Sequence, residues 1–250
     1  MIQEYVERGV AAGLVGGLAY GLYMVLVGHP LSEYVHDAGH DHGHSHDGGG
    51  HAHEHAGHAV SEATTALVST GSGVLWGVFL GGLFALALYL LEPALPGSEA
   101  VKPYVLAGGG FVTVSAVPWL VLPPAAPGAE HLYAIEPRLA IYLGLVFVGA
   151  ATVAAALAAY KRGARRSLGF GLAAGAVPIL AVAAVLPLAT PTITTHPELP
   201  ADLVGAYQGL AVLSQATLWL LIAVTFDGLR RRMPIRDARS AGTERETLAD

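Results

Sequence analysis

Apolar runs about 20 residues long recur along this chain, and that length is what a bilayer core demands of a helix. Six can be marked, at about 8–28, 73–91, 104–122, 139–160, 168–189 and 204–226. Charged residues make up only 13% of the chain, against roughly 25% in ordinary globular proteins. The expected fold is therefore all-α: a polytopic membrane protein with a six-helix transmembrane domain over 1–228 and a disordered, Arg-rich tail over 229–250. The first run could pass for a signal peptide. Glu4 and Glu7 oppose Arg8 before it and no small-x-small cleavage site follows, so it reads as a retained helix closed by His29-Pro30.

Between the first two runs lies the stretch 36–58, HDAGHDHGHSHDGGGHAHEHAGH, which holds nine of the twelve histidines. It carries Asp37, Asp41, Asp47 and Glu54 but no Lys, no Arg and no large apolar side chain. Such a stretch cannot bury a core and should be a mobile loop. Neutral imidazoles bind borderline divalent ions such as Co²⁺, Ni²⁺ and Zn²⁺, and carboxylates add oxygen ligands. His36, His40, His42, His44, His46, His51, His53, His55 and His58 are candidate ligands, forming loose sites that fail as the imidazoles protonate near pH ~6.5. Imidazole alone does not select among these metals. The competing reading is a biased linker with no ligand.

Alternate ends of the six runs differ in charge. One side collects Arg8, Lys102, Lys161, Arg162, Arg165, Arg166 and six arginines from residue 230 onward; the other has Arg138 alone. The positive-inside rule then places both termini in the cytoplasm and the histidine stretch outside the cell. His29, His131 and His196 share that outer side, as do Glu33, Glu130, Glu136, Glu198 and Asp202. His29, His131, His196 and Glu198 could converge on an incoming ion; taken singly, each is more simply a turn or helix-end residue. Within the spans the polar groups are sparse, and Thr113/Ser115 and Ser214/Gln215 could form a seam or merely bond between helices. Glycines at four-residue spacing (Gly13/Gly17/Gly21, Gly73/Gly77/Gly81, Gly171/Gly175) make flat stripes for close helix packing. The chain has no cysteine, which excludes thiolate sites and disulfides, and no phosphate-cradling G-x-x-x-x-G-K-[ST]. No nucleophile–base pair lies within the spans, so an enzyme is not expected, and nothing points to nucleic acid.

The Gly-rich first helix, the turn LPPAAPGAEHLYAIEPR, the segment HPELPADLVGAY and a last helix ending LW…DGLRRR together resemble the predicted cobalt transporter subunit family CbtA over nearly the whole length. After Arg138 this chain has Leu139-Ala140-Ile141-Tyr142 where family members carry Gln and then aromatics. The resemblance implies a cell-membrane importer subunit moving Co²⁺ for cobalamin synthesis, with no permanently bound cofactor. It also implies a small, one-span, histidine-bearing partner, CbtB. A homo-oligomer stays open, and so does a membrane-anchored metal sensor or chaperone that transports nothing.

Overall fold

The computed structural model describes residues 2–40, 55–191 and 193–232, with the side chains of 36–40, 55–63, 65 and 66 outside that description. In order, the elements are α1 (Ile2–Tyr23), a π turn (Met24–Gly28), α2 (His29–His40), α3 (His55–Leu91), a 3₁₀ turn (Glu92–Ala94), α4 (Lys102–Phe111), a second π turn (Val112–Ala116) and α5 (Val117–Trp119). There follow β1 (Glu130–His131), α6 (Ile135–Gly163), α7 (Leu168–Ala189), β2 (Thr194–Thr195) and α8 (Ala201–Arg232).

Among the described residues, five helical stretches are long and apolar enough to cross a membrane: Ile2–Val35, Leu67–Ala94, Ile135–Gly163, Leu168–Ala189 and Ala201–Arg232. The expected span at 104–122 is helical from Lys102 to Trp119 but is interrupted by the second π turn, and it is not among the five. Large apolar side chains face outward all along these helices, Leu172, Leu180, Val185 and Leu188 on α7 among them. Water would penalise such a surface and hydrocarbon would not.

The first helix does not stop at Pro30, as the sequence suggested. It continues through the proline to His40. A proline in a helix lacks the N–H that bonds the carbonyl four residues back, and its ring crowds that carbonyl. The π turn relieves the crowding: the His29 amide bonds Met24 O, five residues back. The second π turn does the same two residues ahead of Pro118, where the Val117 amide bonds Val112 O. The carbonyl that Pro118 cannot serve, Val114 O, accepts the Tyr142 hydroxyl of α6 at 3.0 Å.

α1 and α3 form an antiparallel hairpin built on the first two glycine stripes. Gly9, Gly13, Gly17 and Gly21 face Gly81, Gly77, Gly73 and Thr70 in register. A Cβ on Gly17 would sit 2.7 Å from Gly73 O, and one on Gly73 would sit 2.7 Å from Gly21 Cα. Only hydrogen fits between the backbones, so the stripes serve close packing. Gly171 does likewise in the α6–α7 pair, where its Cβ would lie 2.9 Å from Ala164 N.

The main core joins α1, α3, α4 and α8 through Phe84, Leu88, Leu218, Ile222 and Phe226. The Phe226 ring lies 5.7 Å from Phe84 and 5.9 Å from Tyr5, so the end of α8 packs beside the start of α1. At the opposite end of α6 and α7, β1 and β2 pair antiparallel, Glu130 with Thr195 and His131 with Thr194.

Candidate functional site

The first of two sets of polar groups lies where α1 begins and α8 ends. Tyr5 donates to Glu92 Oε2 at 2.7 Å, across 87 residues. Arg230 of α8 reaches Glu99 Oε2 at 3.0 Å, Glu92 Oε1 at 3.7 Å and Asp227 Oδ1 at 3.6 Å, and it also donates to the Glu99 carbonyl. Lys102 bonds Glu99 at 2.5 Å and stands 3.8 Å from Glu92. Arg231 closes on Asp227 Oδ2 at 2.7 Å. Asp227 and Arg8 are almost fully buried. Such groups remain charged inside a bundle only when their charges are paired. A hydrogen bond shared with Glu92, then one from Lys102, holds the Glu99 carboxyl far down, at about 2. The sequence showed these charges only as helix-end residues. The Asp227–Arg230 and Asp227–Arg231 spacings of three and four were the legible signal for part of the network.

The second set lies at the opposite end. His29 Nε2 pairs with Ser69 Oγ of α3 at 2.5 Å, in the shaft of the hairpin. The strand pair carries His131, whose Nδ1 is 3.3 Å from Thr194 Oγ1. His196 Nε2 accepts from the Ala126 amide at 3.1 Å, so that nitrogen is deprotonated and already bonded. Desolvation, with the nearby Arg138 charge adding to it, pushes His131 below the usual histidine value and keeps it neutral at pH 7. The strands thus bring His131 and His196 into one neighbourhood, whereas His29 is engaged elsewhere. Among the described residues, no three His, Asp or Glu side chains form a group able to hold a metal ion.

The histidine stretch is shorter as a non-helical segment than expected. His36 and His40 belong to α2, and His55 and His58 to α3. An anchored helix has already met its nucleation cost, so it extends through weak helix formers such as Asp37 and Gly39. His42, His44, His46, His51 and His53 lie outside the described residues, as does the tail from 233 onward.

The polar groups within the spans do not make one seam. Thr113 lines an apolar cavity of about 590 Å³ between α4 and α6, where Lys161 donates to Ala94 O at one end. Ser214 and Thr217 line a separate one of about 140 Å³ between α1 and α8. Beside it Gln215 Nε2 donates to the Tyr20 hydroxyl at 3.4 Å. Ser214 and Thr152 each donate to a carbonyl of their own helix, at 2.8 and 2.7 Å.

A lipid-facing exterior, tightly apposed small-residue helices and a charge network confined to one end define a multi-pass membrane protein. The family model for CbtA, described as a probable cobalt transporter subunit, matches residues 2–230. The chain belongs to that family, so it is a transporter subunit and works as part of a transport system in a membrane. No curated protein and no solved structure matches it.

Proposed function

We propose that the chain is the membrane-spanning subunit of a Co²⁺ importer serving cobalamin synthesis, with the histidine stretch as an external capture segment. The observation that carries this reading is the polarity of the hairpin. The Tyr5–Glu92 contact ties its base to the arginine-rich end, while His40 and His55 terminate its two helices at the other. Under the positive-inside rule the base faces the cytoplasm and the tip faces outward. The contact between Tyr5 and Phe226 supports an even number of crossings, since an odd number would put the start of the first helix and the end of the last on opposite faces. The broken segment from Lys102 to Trp119 is then the sixth crossing. From His29 to His40, α2 adds roughly 17 Å of helix at 1.5 Å per residue, which lifts the histidines above the membrane surface.

In this reading His36, His40, His42, His44, His46, His51, His53, His55 and His58 concentrate Co²⁺, or Ni²⁺ or Zn²⁺ in its place. His29 on the hairpin and, at a separate place, His196 and Glu198 just after β2 receive the ion at the bundle. His131 is the least suited of the outer histidines, because the Arg138 charge beside it opposes a cation. A one-span CbtB-like partner, or a second copy of the chain, would supply ligands that the spans lack.

The test is cobalt entry into liposomes holding the purified full chain, alone and with the partner, read by a metal-quenched internal dye. Entry is expected. Deletion of residues 36–58 should lower the rate several-fold at limiting Co²⁺ and little at saturating Co²⁺. The advantage of the intact chain should fade below pH ~6.5 as imidazoles protonate. Equal rates with and without the stretch at limiting metal would remove the capture role. The alternative is a membrane-anchored metal sensor or chaperone that transports nothing. Metal binding without entry, with the partner present, would select it.

A further inference from the structure

The outer end of α6 contains a cavity of about 320 Å³ whose chemistry is opposite to that of a cation site. Its polar lining is Arg138, His131, Tyr142 and Thr194, and Leu122 and Leu139 supply apolar wall. No carboxylate among the described residues lines it. Arg138 is the only Lys or Arg on this side of the bundle by the charge count. It makes no ion pair with any described residue, and its Nε is buried without a hydrogen-bond partner.

A guanidinium held this way is a donor without an acceptor, and burying an unmet donor is costly. Guanidinium forks match phosphate and carboxylate oxygens in pairs. Beside it the Thr194 hydroxyl and the neutral His131 ring share one hydrogen bond, which leaves one donor of the pair free for an anion, either the hydroxyl or the ring Nε2–H. The ring can also become a cation when a negative charge arrives. The Tyr142 hydroxyl is committed to Val114 O, so it shapes the wall and does not serve as a donor. The same bond couples the cavity to the π turn that accommodates Pro118.

We propose that this cavity is an oxyanion site that takes a phosphate or carboxylate group, carried by either a lipid headgroup or a free solute. It stands independently of metal capture by the histidine stretch. A positive residue at the outer surface would otherwise repel the cargo, and a bound anion neutralises it.

Two probes separate the sources. Full-length protein in detergent is titrated with inorganic phosphate by calorimetry, and protein released from phosphatidylglycerol nanodiscs is weighed by native mass spectrometry for retained lipid. Wild type should bind at least one probe saturably. Arg138→Gln should weaken that binding at least tenfold, Arg138→Lys should lose less, and Arg162→Gln at the opposite end should leave it unchanged. An unchanged melting temperature shows that Arg138→Gln is folded. Phosphate binding alone identifies a free solute, and retained lipid identifies a headgroup. No saturable binding of either probe, or equal binding by wild type and Arg138→Gln, overturns the proposal.

Discussion

Replacing Gly77 by leucine is expected to abolish the folded protein. Gly77 sits at the centre of the α1–α3 contact, and a Cβ there would lie 2.5 Å from Gly13 O and 2.6 Å from Gly17 N. Both obstacles are backbone atoms, so no side chain can rotate out of the way. Relief requires the helices to separate along the whole stripe, because Gly73 and Gly81 are packed as closely against Gly21 Cα and Gly13 Cα. The cost should exceed the ~1–3 kcal/mol typical of an overpacked core. A membrane bundle has little to compensate it: lipid tails are as apolar as leucine, and packing is the main attraction between helices. The control is Gly144→Leu, where nothing lies within 4 Å of the added Cβ. That variant should fold, with a thermal midpoint unchanged or slightly raised, since leucine favours helix over glycine by about 0.8 kcal/mol. Circular-dichroism melting in detergent decides the matter. A Gly77→Leu protein that melts like wild type would mean the two helices are not locked by their glycines.

That contact was legible in the sequence as a pattern, because four-residue glycine spacing has one simple physical use. Which stripe meets which was not legible: the pairing of Gly17 with Gly73 depends on the length of the hairpin, and spacing carries no information about it. Five of the six expected spans were readable from hydropathy for the same reason, since a bilayer enforces length and apolarity on each helix separately; the run at 104–122 is broken by a π turn and is not among the helices long and apolar enough to cross. The end of the first helix was misread at Pro30. Proline is a reliable stop only when the turn before it is an ordinary α turn, and here a π turn precedes it. The hint was available in principle, because Pro118 repeats the arrangement in a second apolar run. At the end that carries β1 and β2, His131 and His196 could be assigned to one side by counting charges. Their strand-mediated proximity and the companionship of Arg138 required the tertiary fold. The network at the other end was hidden more thoroughly, because Tyr5, the Glu92–Glu99 link and Arg230 come from three distant stretches.

Arg230→Ala should destabilise the bundle by about 2–4 kcal/mol, and the loss should depend on Glu92. Removing one member of a buried ion pair costs roughly 3–5 kcal/mol because the other charge is stranded. Here the value is discounted, since Glu99 is largely exposed and water screens its share. Without Arg230, Glu92 is left with the Tyr5 hydroxyl, the bond shared with Glu99 and a distant Lys102, and buried Asp227 loses one of its two arginine contacts on α8 while Arg231 remains. Glu92→Ala should therefore cost less in the Arg230→Ala background than in wild type, with a coupling of about 1 kcal/mol or more in a double-mutant cycle. The network also sets an acid limb. Glu99 is held down to about 2, below its unfolded value near 4.3, so its contribution is complete above that unfolded value. It is lost as pH falls from there toward 2. The largest cause of the shift is the bond with Glu92, so Glu92→Ala should flatten the stability profile across that interval, and Gly144→Leu should leave it intact. Chemical unfolding in detergent at steps between pH 5 and 2 measures both effects. Identical acid limbs in wild type and Glu92→Ala would show that the carboxylate of Glu99 draws nothing from the network, and additive losses in the cycle would show the same of Arg230.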